Sequence, residues 1–556
     1  MPVVTVPIDL LTSLVGKKLA DEELLRVLTE MGCDVEDIDN INRSLKLNLL
    51  PARPDMFDVC GLARSIKGYL ALETGMPEYR FENSGVRIYV KPGLENIRQY
   101  IVGMVVRNLQ LNQQWLQVLM DLQENLHWGL GRNRHKASIG IYDLDTVEPD
   151  FVYQPVTPQG ISFVPLGETT PKTPTEILTT HPKGLMYQHL LTGYPAYPLL
   201  TDKNGVVLSM PPIINSEATK VKPGTQNLFI DVTGSDEQAI IRTLNVISAV
   251  FADLTAQVQQ IEIIYPDGKK LSTPKMTPEI MELDLNEVKK VIGVELRFEH
   301  LIELLHRMRF TAGKTADENL LKVFIPAYRT DVMHPWDIIE DIAIAYGYHN
   351  LEPKLIPTAT QSKPARIEEF CCLCRTALTG MGFIEVLSLI LTSPEAQFEK
   401  LGLSDDGKTV VVENPISVEQ RILRRHLLAG IVETLGSNST QPLPQSIFEL
   451  GDVFVIDRQA ETGAQPQRHL ALGIADAKAS FADVKAGVEA LTRELDLKIG
   501  FVRAQRMPFL SGRCAMLVNH EQQPVGYCGE THPQVLERFG LTVPVVMAEL
   551  NLSSFL

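Results

Sequence analysis

Apolar residues recur along this chain at helical spacing in some blocks and at alternate positions in others, and the clearest block runs from Ile325 to Asn350. There Ile338, Ile339, Ile342 and Tyr346 turn one side of a helix toward a core, while Asp337, Glu340 and Asp341, spaced i, i+3 and i+4, share another face. Pro335 suits the first helical position, Asp331 lies in the turn leading in, and Gly347 ends the helix. Helical patterns also run through Gln114 to His127, Gln238 to Gln257 and Ile367 to Thr379. β-rich runs bounded by turn residues predict strands in IRQYIVGMVVRNLQL, KASIGIYDLDTV, GVVLSMPPIINS and QNLFIDVTG, and again over Ser446 to Val455 and Arg513 to Val518.

The Ile325 block has a degenerate twin near the N-terminus. Pro51-Ala52-Arg53-Pro54-Asp55 echoes Pro326-Ala327-Tyr328-Arg329-Thr330-Asp331, and upstream Gly16, Leu19 and Met31 keep the mutual spacing of Gly293, Leu296 and Met308. Two copies of one supersecondary unit follow. At the offsets that lead from Asp331 to the three later acids, the first copy carries Gly61, Arg64 and Ser65. The acid face is therefore not required by the fold of the unit. Three acids on one helix face repel one another, so a cation or a basic partner is expected there, and an all-oxygen set suits Mg²⁺ better than zinc. The plainer account is that acids near a helix start complement its dipole.

At 556 residues the chain has length for about three to four ordinary domains. The segment between the copies is long enough for an α+β domain of its own, and NLEPKLIPTATQSKP reads as a linker to the rest. The expected division is 1–83, 84–270, 271–357 and 358–556. No apolar run is long enough to span a bilayer and MPVVTVPIDLL lacks a signal-peptide pattern, so no membrane association and a cytoplasmic location are expected. Seven scattered cysteines suggest a reducing compartment, and Cys371 and Cys374 read as buried thiols on a helix. A net charge of −16 restricts any RNA contact to a local patch, with Gly131-Arg132-Asn133-Arg134-His135-Lys136 as the candidate and a solvated loop as its equal alternative. Gly313-Lys314-Thr315 lacks the first glycine of a Walker A loop, Gly129-Leu130-Gly131 lacks the third glycine of a dinucleotide fingerprint, and no G-x-S-x-G is present.

Taken with these features, the PARPD, SMPPIINSE, LFIDVTGSD, RTD…WDIIEDIAIAYGY, NPIS…FELGDVF and YCGETHPQVLERFGL segments resemble the β subunits of phenylalanyl-tRNA synthetases, in the shorter form of archaea and eukaryotes. The resemblance covers nearly the whole chain. It implies an α+β multidomain fold: duplicated small helical, winged-helix-like units flank an editing domain, and a class II synthetase-like antiparallel-sheet domain follows. It also implies a Mg²⁺ shared with an α subunit, carried over here to Asp331, Asp337, Glu340 and Asp341. No G-x-G-x-G-x-x-R segment is found, so the last domain is expected to lack its own active site, with Arg424 and Arg425 in ion pairs rather than on ATP phosphates. ATP is then used at the α subunit, which charges tRNA for phenylalanine within an assembly of two α and two β chains.

A pocket shaped for phenylalanine rejects tyrosine by only about a hundredfold, so a second, hydrolytic site is the usual remedy. The resemblance places that editing pocket at Leu200, Ser209, Asp231 and Thr233, with Glu217, Gln123 and Arg134 added by neighbourhood. Without the resemblance, Ser209 and Thr233 read as ordinary strand and turn residues, and Asp231 with Thr233 as a turn. Two other classes stay open at this point: a free-standing aminoacyl-tRNA deacylase and a non-catalytic nucleic-acid-binding scaffold.

Overall fold

The computed structural model describes residues 3–49, 51–358 and 360–556, in two compact units, Met1–Leu355 and Ile356–Leu556. It is a mixed α+β architecture with several separate sheets. No helix among the described residues is long and apolar enough to cross a membrane.

The first unit holds two small sheets of the same design. Strand Val3–Pro7, helices Ile8–Val15 and Asp21–Glu30, strands Asp34–Asp39 and Ser44–Asn48 and helix Val59–Tyr69 follow one another, with Ser44–Asn48 central in the sheet. Glu279–Asp284, Leu285–Ile292, Phe298–Arg307, Thr311–Lys314, Leu320–Ile325 and Pro335–Tyr346 repeat that order of elements, with Leu320–Ile325 central. The matched glycines have matched duties: Gly16 and Gly293 end the first helix of each copy in the left-handed conformation, at φ 74° and 80°. The two copies share one apolar core and are tied by polar contacts. The Arg307 guanidinium donates to the Tyr69 carbonyl at 2.8 and 3.0 Å, and Gly75 N–H donates to the His306 carbonyl at 2.7 Å.

Between the copies the chain builds a ten-stranded sheet. Its main path runs Ile214–Asn215, Val207–Met210, Tyr197–Asp202, Phe151–Val156, Glu82–Val90, Gln257–Ile264, Tyr100–Arg107, Leu228–Gly234, Ala137–Asp143, with Lys270–Thr273 paired to Gln257–Ile264. Two expectations shift for physical reasons. The helix predicted to Gln257 ends at Asp253, since Thr255 takes φ 58° and Gln257 opens a strand. GVVLSMPPIINS makes two strands rather than one, because Pro211 and Pro212 offer no N–H to a ladder.

The second unit is built on a seven-stranded sheet in the order Ile384–Glu385, Gln445–Ile456, Ala464–Ala475, Val545–Asn551, Pro524–Thr531, Phe509–Val518, Gly500–Arg503. Alternation along the strands serves two cores. Phe448, Leu450, Leu470 and Leu472 join Cys371, Cys374 and Leu378 of helix Arg366–Gly380, while Ile447, Ala471 and Met547 join helix Leu428–Ser437. Cys371 and Cys374 are buried free thiols, and all seven cysteines are unpaired among the described residues. Residues 351–358 and 360–365 carry no helix or strand, in keeping with a linker.

Candidate functional site

Strand Leu228–Gly234 lies between Tyr100–Arg107 and Ala137–Asp143, and its register sets Asp231 opposite both Gly103 and Gly140. Helix Gln113–Trp128 starts at Asn112, whose side chain accepts the Trp115 N–H at 2.9 Å, and packs against strand Ala137–Asp143. Bounded by this helix, this strand and the segment from Ser209 to Asn215 is a cavity of about 360 Å³.

At one wall of the cavity Tyr142 Oη lies 2.7 Å from Ser209 Oγ and 2.6 Å from Asp231 Oδ1. The Tyr142 ring is fully buried and stacks on Phe229, which stacks in turn on Phe151. Gly140 is a glycine for want of space, since a Cβ there would strike Tyr142 Oη and Asp231 Oδ1. Burial pushes Asp231 up to about 7, against the hydrogen bond from Tyr142 and the charge of Arg98. On another wall His127 Nε2 accepts the Ile139 N–H at 2.8 Å, so the neutral ring carries its proton on Nδ1. Burial holds His127 neutral by lowering it to about 4.

Gln123, Arg134, Ser209 and Asp231 all line this cavity. Gln123 is anchored by donating to the Ile139 carbonyl at 2.8 Å. Arg134 donates to the Pro212 and Ile213 carbonyls at 3.2 and 3.1 Å and to Glu124 Oε1 at 2.9 Å, and its guanidinium sits 4.4 Å from the Tyr187 ring. It therefore shapes the pocket, and it is not the free cation of a solvated basic loop. Arg132, Asn133 and Arg134 take φ 49°, 52° and 67°, three successive left-handed residues with no glycine among them. Arg98 steadies this turn by donating to the Arg134 carbonyl at 3.0 Å.

The other three expected pocket residues are not in the lining. Thr233 is fully buried, and its Oγ1 and carbonyl accept from Arg98 Nε and Nη2 at 2.9 and 2.6 Å, so it holds the arginine that holds the turn. Leu200 is packed in the core of the sheet, paired with Ser209 on one side and Tyr153 on the other. Glu217 stands beside the cavity, accepting from Gly167 N–H at 2.7 Å and pairing with Lys220 at 3.0 Å, and both partners are lining residues. Sequence reasoning missed Tyr142, Gly140, His127 and Ser138. Gly140 and Tyr142 carried a signal, since alternation along KASIGIYD puts both on one face.

The acid cluster divides. Arg329 grips Asp331 with two parallel hydrogen bonds at 2.9 and 2.7 Å and also pairs with Asp341, which lies 4.0 Å from Arg53. Burial favours the neutral form of Asp331, but Arg329 outweighs it and holds the carboxyl down to about 2. Asp337 Oδ2 accepts the N–H groups of Met333 and His334, both at 2.7 Å, in a capping box. Glu340 is exposed. The four carboxylates are not one open set: Arg329 pairs with Asp331 and Asp341, and backbone N–H groups take Asp337 Oδ2, which leaves Glu340 and the other Asp337 oxygen for a cation. Among the described residues no three His, Cys, Asp or Glu side chains are placed to hold a metal.

Arg424 and Arg425 are committed as the sequence suggests. Arg424 Nη1 meets Glu449 Oε1 at 2.5 Å in a fully buried setting, and Arg425 Nη1 meets Asp406 Oδ1 at 2.7 Å.

Three family models match the chain: the B3/4 domain over residues 92–249, the tRNA synthetase B5 domain over 281–348 and the phenylalanyl tRNA synthetase beta chain CLM domain over 352–552. By their descriptions the last two are parts of tRNA synthetases, which gives the class of protein: a chain of an aminoacyl-tRNA synthetase. A phenylalanine–tRNA ligase beta subunit from Methanosphaera stadtmanae is 37% identical over 559 residues, covering 100% of both chains. One from Archaeoglobus fulgidus is 38% identical and covers 100% of this chain and 99% of its own. A crystal structure of an N-terminal fragment of the β subunit from Pyrococcus horikoshii, 36% identical, superimposes with a TM-score of 0.60 over 62% of this chain and 99% of the fragment. The chain belongs to the family of phenylalanine–tRNA ligase β subunits.

Proposed function

We propose that the chain is the β subunit of a phenylalanine–tRNA ligase, supporting ATP-dependent attachment of phenylalanine to its tRNA by an α subunit, and that its cavity hydrolyses mischarged tyrosyl-tRNA. Full-length similarity to the family favours neither a free-standing deacylase nor a nucleic-acid scaffold. We read the two small units as winged-helix-like and the seven-stranded unit as a class II synthetase sheet without an active site of its own. The commitment of Arg424 and Arg425 to carboxylates supports that reading, since neither guanidinium is free for ATP phosphates.

An α partner is supported by apolar residues left exposed at one edge of the second unit. Ile384 lies on the edge strand, Leu387, Leu389 and Leu391 follow it, and Ile416 and Val418 are equally uncovered. Two α and two β chains in the cytoplasm remain the proposed assembly. A Mg²⁺ shared with the α subunit would draw on Glu340 and Asp337, because Arg329 already answers Asp331 and Asp341. When bound, that ion would supply positive charge to these two carboxylates.

The observation that carries the hydrolytic reading is the Asp231 carboxylate on a cavity wall that it shares with Ser138, Tyr142 and Ser209. His127 Nε2 is taken by a backbone N–H, so no Ser-His-Asp relay operates. A water positioned by the polar wall attacks the ester carbonyl, the acyl-oxygen bond breaks, and the proton passes to the ribose oxygen of the departing tRNA. Lys183 and Lys220 line the cavity but are paired with Glu124 and Glu217, so a tRNA phosphate would reach them only by displacing those carboxylates. Asp231→Ala in the assembled enzyme should slow deacylation of preformed tyrosyl-tRNA at least about tenfold while phenylalanine charging is unchanged. Equal deacylation rates would remove Asp231 from the reaction.

A further inference from the structure

We propose that the second unit holds a binding site for a small apolar α-amino acid, in a cavity where Glu549, His469 and Asn551 take the ammonium group and Arg506 takes the carboxylate. The site belongs to the seven-stranded sheet and owes nothing to the hydrolytic reading.

Strand register builds the polar end. Glu549 stands directly across from Tyr527 on one neighbouring strand and from Ala471 on the other, and His469 stands across from Asn551. Alternation puts them all on one face of the sheet, the face on which Ala471 and Met547 pack with helix Leu428–Ser437. His469, Asn551, Glu549 and Tyr527 border a cavity of about 180 Å³ there, and Leu403, Leu428, Pro508 and Phe509 give it apolar walls. An apolar cavity of about 150 Å³ takes up benzene, so a side chain of leucine size suits this one.

The buried polar atoms are unevenly used. Burial works against the charge on Glu549, but His469, His426 and the Leu427 N–H outweigh it and lower the carboxyl below its ordinary range. Oε1 meets His469 Nδ1 at 2.7 Å and accepts the Leu427 N–H at 3.1 Å, while Oε2 makes no hydrogen bond among the described residues. An ionised Glu549 keeps the His469 proton on Nδ1, so Nε2 of the neutral ring is a bare acceptor, and it is buried without a partner. Asn551 Oδ1 is buried without a partner as well. Three acceptors, one of them charged, match the three N–H donors of a primary ammonium. Water brings two donors and no charge. A metal ion is the poorer occupant, since among the described residues no three His, Cys, Asp or Glu side chains are placed to hold one. Arg506 answers the other end of the ligand. Its guanidinium lies 4.4 Å from the Tyr527 ring, lines the same cavity, and makes no hydrogen bond or ion pair among the described residues. A plain cation leaves Arg506 unused and a plain anion meets Glu549, whereas a zwitterion satisfies both.

The test is NMR titration of the full-length chain with L-leucine and with its two halves, 3-methylbutan-1-amine, which lacks the carboxylate, and 4-methylpentanoate, which lacks the amine. Wild type is expected to bind L-leucine with a Kd between about 10 μM and 1 mM, and each half at least about tenfold more weakly. Arg506→Ala, at an exposed position, should weaken L-leucine at least about tenfold and leave the amine unchanged. Glu549→Gln should weaken L-leucine and the amine together and leave 4-methylpentanoate no weaker. Absence of L-leucine binding to wild type at about 10 mM overturns the proposal. So does a half that binds as tightly as the whole, or L-leucine binding that survives Arg506→Ala. If Glu549→Gln does not fold, Arg506→Ala and the two halves decide the matter by themselves.

Discussion

The two copies of the small unit share a skeleton and differ at the same helix positions. In both, an arginine two residues before an aspartate grips it with two hydrogen bonds: Arg53 with Asp55, both at 2.9 Å, and Arg329 with Asp331 at 2.9 and 2.7 Å. In both, the last helix is capped by the residue at the same place, Asp58 or His334. Beyond the cap they diverge. Gly61 lies where a Cβ would strike the Asp55 carbonyl, whereas Asp337 caps its own helix start. Arg64 turns inward to Asp253 at 2.5 Å and lies over the Tyr328 ring, whereas Glu340 is exposed. The first copy spends its helix on joining other elements, and the second keeps an acid outward. The duplicated skeleton and the acids are thus separable, and the acids that looked like one cluster belong to two systems, one internal and one external.

Asp341→Ala should cost the most, about 3 kcal/mol, because it leaves Arg329 and Arg53 short of a carboxylate in a buried setting; chemical denaturation of the full chain reads it. Next, burial raises Asp58 to about 6, with Arg64 and two backbone N–H groups pulling the other way. The folded chain keeps that proton while the unfolded chain releases it near pH 4, so stability falls as pH rises from about 4 to about 6, by at most about 3 kcal/mol. Asp58→Asn should remove that slope; unfolding midpoints across this window decide.

At one shared helix position, Gly61→Ala should destabilise by about 2 kcal/mol through overpacking, and Asp337→Ala by about 1 kcal/mol through the lost cap. Equal effects would mean that the two copies do not differ in the way described. The smallest effect belongs to Glu340→Ala, within about 0.5 kcal/mol in stability, with any change confined to how assembly with the α subunit responds to added Mg²⁺. A large loss of stability there would move Glu340 into the internal system.

The repeat was legible because it lies in spacing, and spacing survives when residues change. Helix Gln113–Trp128 and strand Gln445–Ile456 fall within a residue of their predicted ends for the same reason. The partners of the acids were not legible. Arg329 sits in the turn before the helix, and nothing in the period of Ile338, Ile339 and Ile342 tells that its guanidinium reaches back to Asp341. In the cavity, Ser209 and Asp231 came from family resemblance, and strand register then supplied Tyr142, which no local pattern brings to Asp231 across eighty-nine positions. Thr233 and Leu200 are as buried as Ser209 and Asp231 but do not line the cavity, and which buried residue borders a cavity is a property of the packed sheet rather than of the motif.

The large sheet also says something about how such a molecule can be assembled. Its first strand begins at Glu82 and its last ends at Thr273, and strand Gln257–Ile264 pairs with both, Gln259 opposite Glu82 and Ile261 opposite Thr273. Way in and way out are therefore two strand spacings apart, about 10 Å, a gap that about three extended residues span. A module with such neighbouring ends leaves the paired body at one place, like a drawer in a cabinet, but it is fitted to its frame: its helix Glu237–Asp253 packs on helix Val59–Tyr69 and Asp253 holds Arg64, so an exchange would have to rebuild that wall.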